Sequence, residues 1–369
     1  MKNVRPNCTV LGIPARIVRP MGLESIKNYK TMGLNIQILS KRQTETWPSW
    51  HLVYEWEDVM AKDLNIPIVT SSSAAAILDN RYVQKILSLA FAKTIAQRID
   101  SLFRSRTKHI SFEIRLKRSF SYSNNINAIP IIIDFYKNKE SDQFYQTYRN
   151  SPLICVTSIE VFNYLLTKNY PLNIKHLPLS LPDQYKLSRD TVFEKEYTLI
   201  LAGRRNPTLW SYLNEYLLTA PDLEFLYQEN INGELVYVSN KKGIIGKFNT
   251  REEYMNLLKK CKIAFYSTPG IDGEEHLTGG FSQVTPRYLE LLSSGCLVLG
   301  RYKDNAETAF YDLDRFCPNV QSIDQFSLVM NSYMSTQQPD IPAYSSYLEQ
   351  HYTSVRSKQL QQYIKDMDS

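Results

Sequence analysis

No apolar run in this sequence approaches the ~20 residues that a membrane-crossing helix needs. Residues 129–133, I-P-I-I-I, have only the length of a buried strand. The N-terminus carries early charges and lacks the roughly 7–15-residue apolar core of a secretory signal. The five cysteines (Cys8, Cys155, Cys261, Cys296 and Cys317) are scattered, odd in number and never spaced Cys-x-x-Cys. That excludes a disulfide framework and a zinc site of ordinary spacing, and it points to free thiols in a reducing compartment. No Asp-x-Asp stands at a strand end, where it would hold a metal-bound diphosphate. Neither charge sign dominates: 43 Lys+Arg against 37 Asp+Glu leave a net charge of +6. The basic residues are spread rather than striped, which argues against nucleic acid and leaves phosphate-bearing ligands or an anionic membrane face.

What is present is an ordinary globular balance, 43% hydrophobic and 22% charged, which removes disordered, collagen-like and coiled-coil classes. The 369 residues are enough for two domains at ~100–200 residues each. From residue 34 onward short apolar strands alternate with helical periodicity. Strands are expected at 35–40, 66–70 (I-P-I-V-T, within 63–70), 109–114, 129–135, 153–157 and 174–179, with a helix within 78–103 and another capped by Ser158. A polar stretch, 182–196, follows. Strands are then expected at 197–202, 235–239, 262–267 and 296–300. Helices are expected at 208–218, after a Thr250/Glu253 capping box, at 285–294, and over 344–365 as one final helix. Such alternation predicts parallel sheets covered on both faces.

Residues 3–20 read differently: N-V-R-P-N-C-T-V-L-G-I-P-A-R-I-V-R-P. Pro6, Asn7, Val10, Gly12, Pro14, Ala15 and Arg16 resemble the closing coil of a left-handed β-helix acyltransferase of the hexapeptide-repeat class. A β-helix buries its core only by stacking several coils, and no others are present. The expectation is therefore a tail remnant over 1–22, and not an acyltransferase.

The most informative stretch is 270–301, G-I-D-G-E-E-H-L-T-G-G-F-S-Q-V-T-P-R-Y-L-E-L-L-S-S-G-C-L-V-L-G-R. A Gly279-Gly280 loop can bring backbone N–H groups close to a diphosphate. Thr285, Pro286 and Arg287 open the next helix, where Arg287 can pair with phosphate oxygens. Glu290 lies one turn on, and Gly295 can end the helix in a left-handed cap. Gly203, Arg204 and Arg205 form the turn after the first strand of the C-terminal half. In α/β sheets ligands bind outside the carboxyl ends of strands, which is where both elements fall. Taken as ordinary structure, Arg287 and Glu290 would be only a surface i,i+3 pair.

Pro286, Arg287, Glu290, Gly295 and the following C-L-V-L strand resemble the donor-binding segment of a GT-B glycosyltransferase of the group-1-like set. The resemblance is good over 195–320 and architectural over 34–180. It implies an α/β chain of two Rossmann-like domains with a cleft between them: an acceptor domain over 23–181 and a nucleotide-sugar domain over 182–340. The end of the chain, 341–369, would pack back on the first domain. It also implies that Glu290 accepts hydrogen bonds from the donor ribose and that Arg204, then Arg205, meets the donor phosphates. The chain departs from the E-x7-E pair of many retaining members, having Ser282 eight positions before Glu290.

An inverting enzyme would need a general base. His51, Glu55, Glu57 and Asp58, within W-P-S-W-H-L-V-Y-E-W-E-D, are candidates, as is His276. Trp47, Trp50 and Trp56 there could stack on a sugar, or could simply be core; His109 and His176 are expected to be structural. The resemblance implies transfer of a sugar from a nucleotide-diphosphate sugar, with no cofactor or metal, to a saccharide or lipid-linked acceptor. The setting would be bacterial surface polysaccharide synthesis in the cytoplasm, at the inner membrane face. Two other readings stay open: a GT-B nucleotide-sugar epimerase, and a non-catalytic nucleotide-sugar or polysaccharide binder.

Overall fold

The computed structural model describes residues 9–11, 16–18, 36–70, 107–114, 127–136, 144–232 and 234–368. The helix expected within 78–103 lies outside the described residues. Near the N-terminus, β1 (Thr9–Leu11) and β2 (Arg16–Val18) form a short antiparallel hairpin.

The first large sheet contains β3 (Ile36–Ser40), β4 (Ile68–Thr70), β5 (Lys108–Glu113), β6 (Ala128–Ile132), β7 (Ile154–Val156) and β8 (Ile174–His176). Its order is β4-β3-β5-β6-β7-β8, and every pairing is parallel. Strands β6 and β7 are buried along their whole length, as expected for a parallel sheet covered on both faces. The helix Pro48–Leu64 packs on one face through Leu52, Val53, Trp56 and Met60. The helix Ile159–Thr167 begins where Ser158 Oγ accepts the Val161 N–H at 3.3 Å, the cap its sequence predicts.

The second sheet contains β9 (Tyr197–Leu201), β10 (Phe225–Ile231), β11 (Glu234–Ser239), β12 (Gly243–Gly246), β13 (Cys261–Ser267) and β14 (Leu297–Arg301), in the order β12-β11-β10-β9-β13-β14. Strands β10, β9, β13 and β14 run parallel, whereas β11 and β12 extend the sheet as antiparallel strands. β10 and β12 carry no readable period: β10 is buried at Phe225 and Leu226 but exposed by Glu229. The Thr250/Glu253 capping box forms as expected and opens the helix Arg251–Lys259.

The expected final helix over 344–365 is in fact two, Ile341–Leu348 and Thr353–Asp368. Between them the chain bonds to Leu181: the Leu181 N–H donates to the His351 carbonyl (2.9 Å) and the Thr353 N–H to the Leu181 carbonyl (3.0 Å). Those bonds take backbone groups that a continuous helix would use internally. The last helix then lies against Pro48–Leu64, with Leu360 and Ile364 in the same core as Trp56 and Met60.

Segments following β6 and β7 touch segments following β13 and β14. Phe135 meets Gln283, Glu160 meets Ser282, and Ser158 meets Glu307. The carboxyl edges of the two parallel sheets therefore face one another. Two mostly parallel α/β sheets placed in this way are the GT-B arrangement that the resemblance implies. Among the described residues, no helix is long and apolar enough to cross a membrane.

Candidate functional site

Three loops meet at the carboxyl edge of the second sheet, those after β9, β13 and β14. Gly203 follows β9 with φ +85°, and the Arg287 guanidinium lies where its Cβ would be. Any larger residue there would overlap the guanidinium and strain the backbone, so a glycine is what lets Arg287 lie flat against this turn. Arg287 begins the helix Arg287–Ser293, with Pro286 at its cap. Burial works against its charge, but Tyr254, Glu290 and Tyr237 around it outweigh burial and keep it cationic. Among the described residues, its Nε and the Tyr237 hydroxyl are both buried without a hydrogen-bond partner. Buried polar groups are normally paired, so two unpaired donors at this edge are unusual.

The loop after β13 is anchored by Asp272, itself in the left-handed region at φ +54°. Arg301, at the end of β14, grips the Asp272 carboxylate at 2.6 and 2.7 Å, and Asn206 Nδ2 donates to it at 2.7 Å. One carboxylate thus joins all three loops. Beyond it the chain turns through Gly279 and Gly280, at φ +64° and +91°. The Thr285 N–H donates to the Tyr266 hydroxyl at 3.0 Å, which fixes the loop's return.

Arg204 is exposed and reaches Glu274 at 3.4 Å. Arg205 is held elsewhere, its guanidinium 4.7 Å from the Trp210 ring and 4.5 Å from the Tyr227 ring. His276 is exposed beside the Gly273 carbonyl, with its Nδ1 3.2 Å away.

Glu290 is buried at 4% exposure and accepts from Arg251 Nη2 at 2.8 Å. Arg251 Nε in turn donates to Glu55 Oε2 at 3.3 Å, while Glu55 Oε1 accepts from Tyr185 (2.5 Å) and Gln184 (2.7 Å). Burial raises the Glu55 carboxyl's pKa, against the pull of Arg251 and Tyr185. So Glu55 joins Glu290 through Arg251, from opposite sheet units. The other candidates on its helix are placed elsewhere: Glu57 is buried against Ser40 and Arg42, Asp58 pairs with Arg42 at 2.7 Å, and His51 lies beside the Tyr54 ring. Trp50 and Trp56 are core, and Trp56 Nε1 donates to the Ser180 carbonyl at 3.0 Å; Trp47 is 73% exposed. Burial between Phe162 and Phe310 lowers the His176 pKa to about 4, consistent with a structural residue.

Arg251, Tyr185, Tyr237, Tyr254 and the Asp272–Arg301 pair were not singled out by sequence reasoning. The Thr250 cap places Arg251 at a helix start, but no local pattern tells where its side chain goes.

No protein-family model matches the chain, and no curated protein is similar to it. Solved structures with similar folds include the pneumococcal O-GlcNAc transferase GtfA in complex with UDP and GlcNAc. It is 11% identical with a TM-score of 0.46, over 74% of this chain and 59% of that one. TarM is 10% identical with a TM-score of 0.43, over 74% of this chain and 57% of that one. The UDP-GlcNAc 2-epimerase from Methanocaldococcus jannaschii is 9% identical with a TM-score of 0.42, over 86% of this chain and 97% of that one. The chain spans less than two thirds of the length of the GtfA and TarM structures.

Proposed function

We propose that this protein is a glycosyltransferase that moves a sugar from a nucleotide-diphosphate donor to a saccharide or lipid-linked acceptor. The observation that carries this reading is Arg287, a buried cation seated over Gly203 with an unpartnered Nε, at the carboxyl edge of a parallel sheet. A diphosphate would supply the missing acceptor oxygens, and Arg287 would stabilise the charge that grows on it as the glycosidic bond to the sugar breaks. Gly203, Arg204, Gly279, Gly280, Thr285 and Pro286 would line the same anion. Glu290 would take the ribose hydroxyls, sharing its carboxylate with Arg251.

The acceptor would lie on the facing edge of the first sheet unit, where a base takes its hydroxyl proton. Among His51, Glu55, Asp58 and His276, Glu55 is the least suited, since both its oxygens already accept hydrogen bonds. Bacterial surface polysaccharide synthesis at the cytoplasmic membrane face is the setting we assign.

Calorimetry with UDP, GDP and CMP on wild type and Arg287→Ala tests the site. Binding of one nucleotide that Arg287→Ala abolishes or weakens strongly is the expected result. Equal affinity in both proteins would sink the assignment. Product analysis with and without acceptor separates transfer from epimerisation, which needs no acceptor.

A further inference from the structure

The loop that carries Gly279 and Gly280 is held from outside its own unit. Phe281, the next residue, is 7% exposed and its ring sits in the aromatic cluster of the first sheet unit. It meets Phe135 edge-on at 5.9 Å and Tyr164 at 5.3 Å. Ser282 is fully buried, and its backbone N–H donates to Glu160 Oε2 at 2.9 Å. Gln283 Nε2 donates to the Phe135 carbonyl at 2.6 Å. Three successive residues of the loop are thus bound by the first unit. The remaining groups of Ser282 are taken within the second unit: its hydroxyl lies 2.6 Å from Thr268 Oγ1, and its carbonyl accepts from Asn305 at 3.2 Å.

A bond in the reverse direction lies close by. Glu307 of the second unit accepts from Ser158 Oγ at 2.7 Å and from the Glu160 N–H at 3.3 Å. Glu160 therefore receives one unit's loop with its side chain and the same unit's carboxylate with its backbone. Burial raises the Glu160 carboxyl's pKa, against the pull of Ser282, Lys303 and Asn305.

We propose that Glu160 of the first unit is a positioning residue for the Gly279–Gly280 loop, so that the loop takes its ligand-binding shape only when the two units are latched at Ser282. The proposal rests on the reading of this loop as part of the donor site. Its physical basis is linkage. A contact that orders the loop and joins the units makes nucleotide binding and closure favour each other by one and the same factor. With the latch cut, a nucleotide must order the loop itself, and its affinity falls by that factor.

The test uses the full chain and three variants: Glu160→Ala, Glu160→Gln and Gln283→Ala. Calorimetry with UDP, GDP and CMP measures affinity, hydrogen exchange reads the amides of 276–285, and small-angle scattering reads the radius of gyration. For Glu160→Ala the expected result is an affinity roughly 5- to 150-fold weaker, with faster exchange in the loop and a larger radius. Glu160→Gln, which keeps a neutral acceptor, should recover part of the loss, and Gln283→Ala should weaken binding in the same direction. Lower thermal stability with unchanged affinity, exchange and radius would assign Glu160 a merely structural role and overturn the proposal. If the wild type binds none of the three nucleotides, the donor reading fails separately. The latch is then judged on exchange and radius alone: an increase in both supports it, and no change overturns it.

Discussion

At the scale of single residues, the proposed donor site would depend on the fit of one guanidinium over one glycine. Gly203→Ala would set a methyl group into Arg287 at a backbone angle that side chains rarely adopt. We expect it to destabilise the fold by about 1–3 kcal/mol and to weaken nucleotide binding, read by thermal unfolding and calorimetry together. Glu290→Ala should weaken nucleotide binding by about 1–3 kcal/mol, the usual loss when a charged hydrogen-bond acceptor is removed. Equal affinity in mutant and wild type would remove Glu290 from the site. That Pro286, Arg287 and Glu290 share one short helix was legible in the sequence, because a helix start, an i,i+3 interval and a closing Gly295 lie within ten residues. Arg251 was not, because its partners Glu55 and Glu290 stand 196 and 39 residues away. Spacing along a chain reports on neighbours within an element, and this ion network joins three separate ones.

At the scale of elements, the loops owe their shape to the Asp272–Arg301 pair, which ties the ends of β9, β13 and β14 together. Arg301→Lys keeps the charge but loses the two-pronged grip. It should weaken nucleotide binding while leaving the far-ultraviolet circular dichroism unchanged. The strands with continuous apolar runs, such as β7 and β14, were readable because burial on both faces leaves no room for polar residues. β10 and β12 were not, since the sheet extends past its covered region there and half of each strand meets water. The final helix was misread as continuous for a different reason. Residues 344–365 keep helical periodicity, and only a distant backbone, Leu181, breaks them. Leu360, fully buried against the Pro48–Leu64 helix, is the residue by which to measure that contact. Leu360→Ala should cost about 2–5 kcal/mol in urea unfolding.

At the scale of the whole molecule, the contact between the two units carries a pH dependence. Burial, opposed by Ser158 and the amides of Glu160 and Ile159, raises the Glu307 carboxyl from its ordinary 4.5 to about 7. The folded state therefore holds this proton more tightly than the unfolded chain. Its contribution is fully present below pH 4.5 and is lost as pH rises through 7. The size is up to about 3 kcal/mol. Urea midpoints at pH 5 and pH 8 should fall further in wild type than in Glu307→Gln, and parallel behaviour would remove Glu307 as the cause.

The backbone pairing of Leu181 with Tyr352 also bears on how the molecule can be divided. The chain crosses between the sheet units twice, and the two crossings run side by side at this bridge. The residues after the second crossing, 353–368, pack on the Pro48–Leu64 helix, with Leu360 and Ile364 in one core with Trp56 and Met60. A cut near 182 therefore separates neither half cleanly. The front fragment loses that helix, and the rear fragment carries it without the Pro48–Leu64 helix it packs on. Expressed apart, the two pieces should be insoluble or unfolded; mixed or co-expressed, they should find each other, because each holds the surface the other needs.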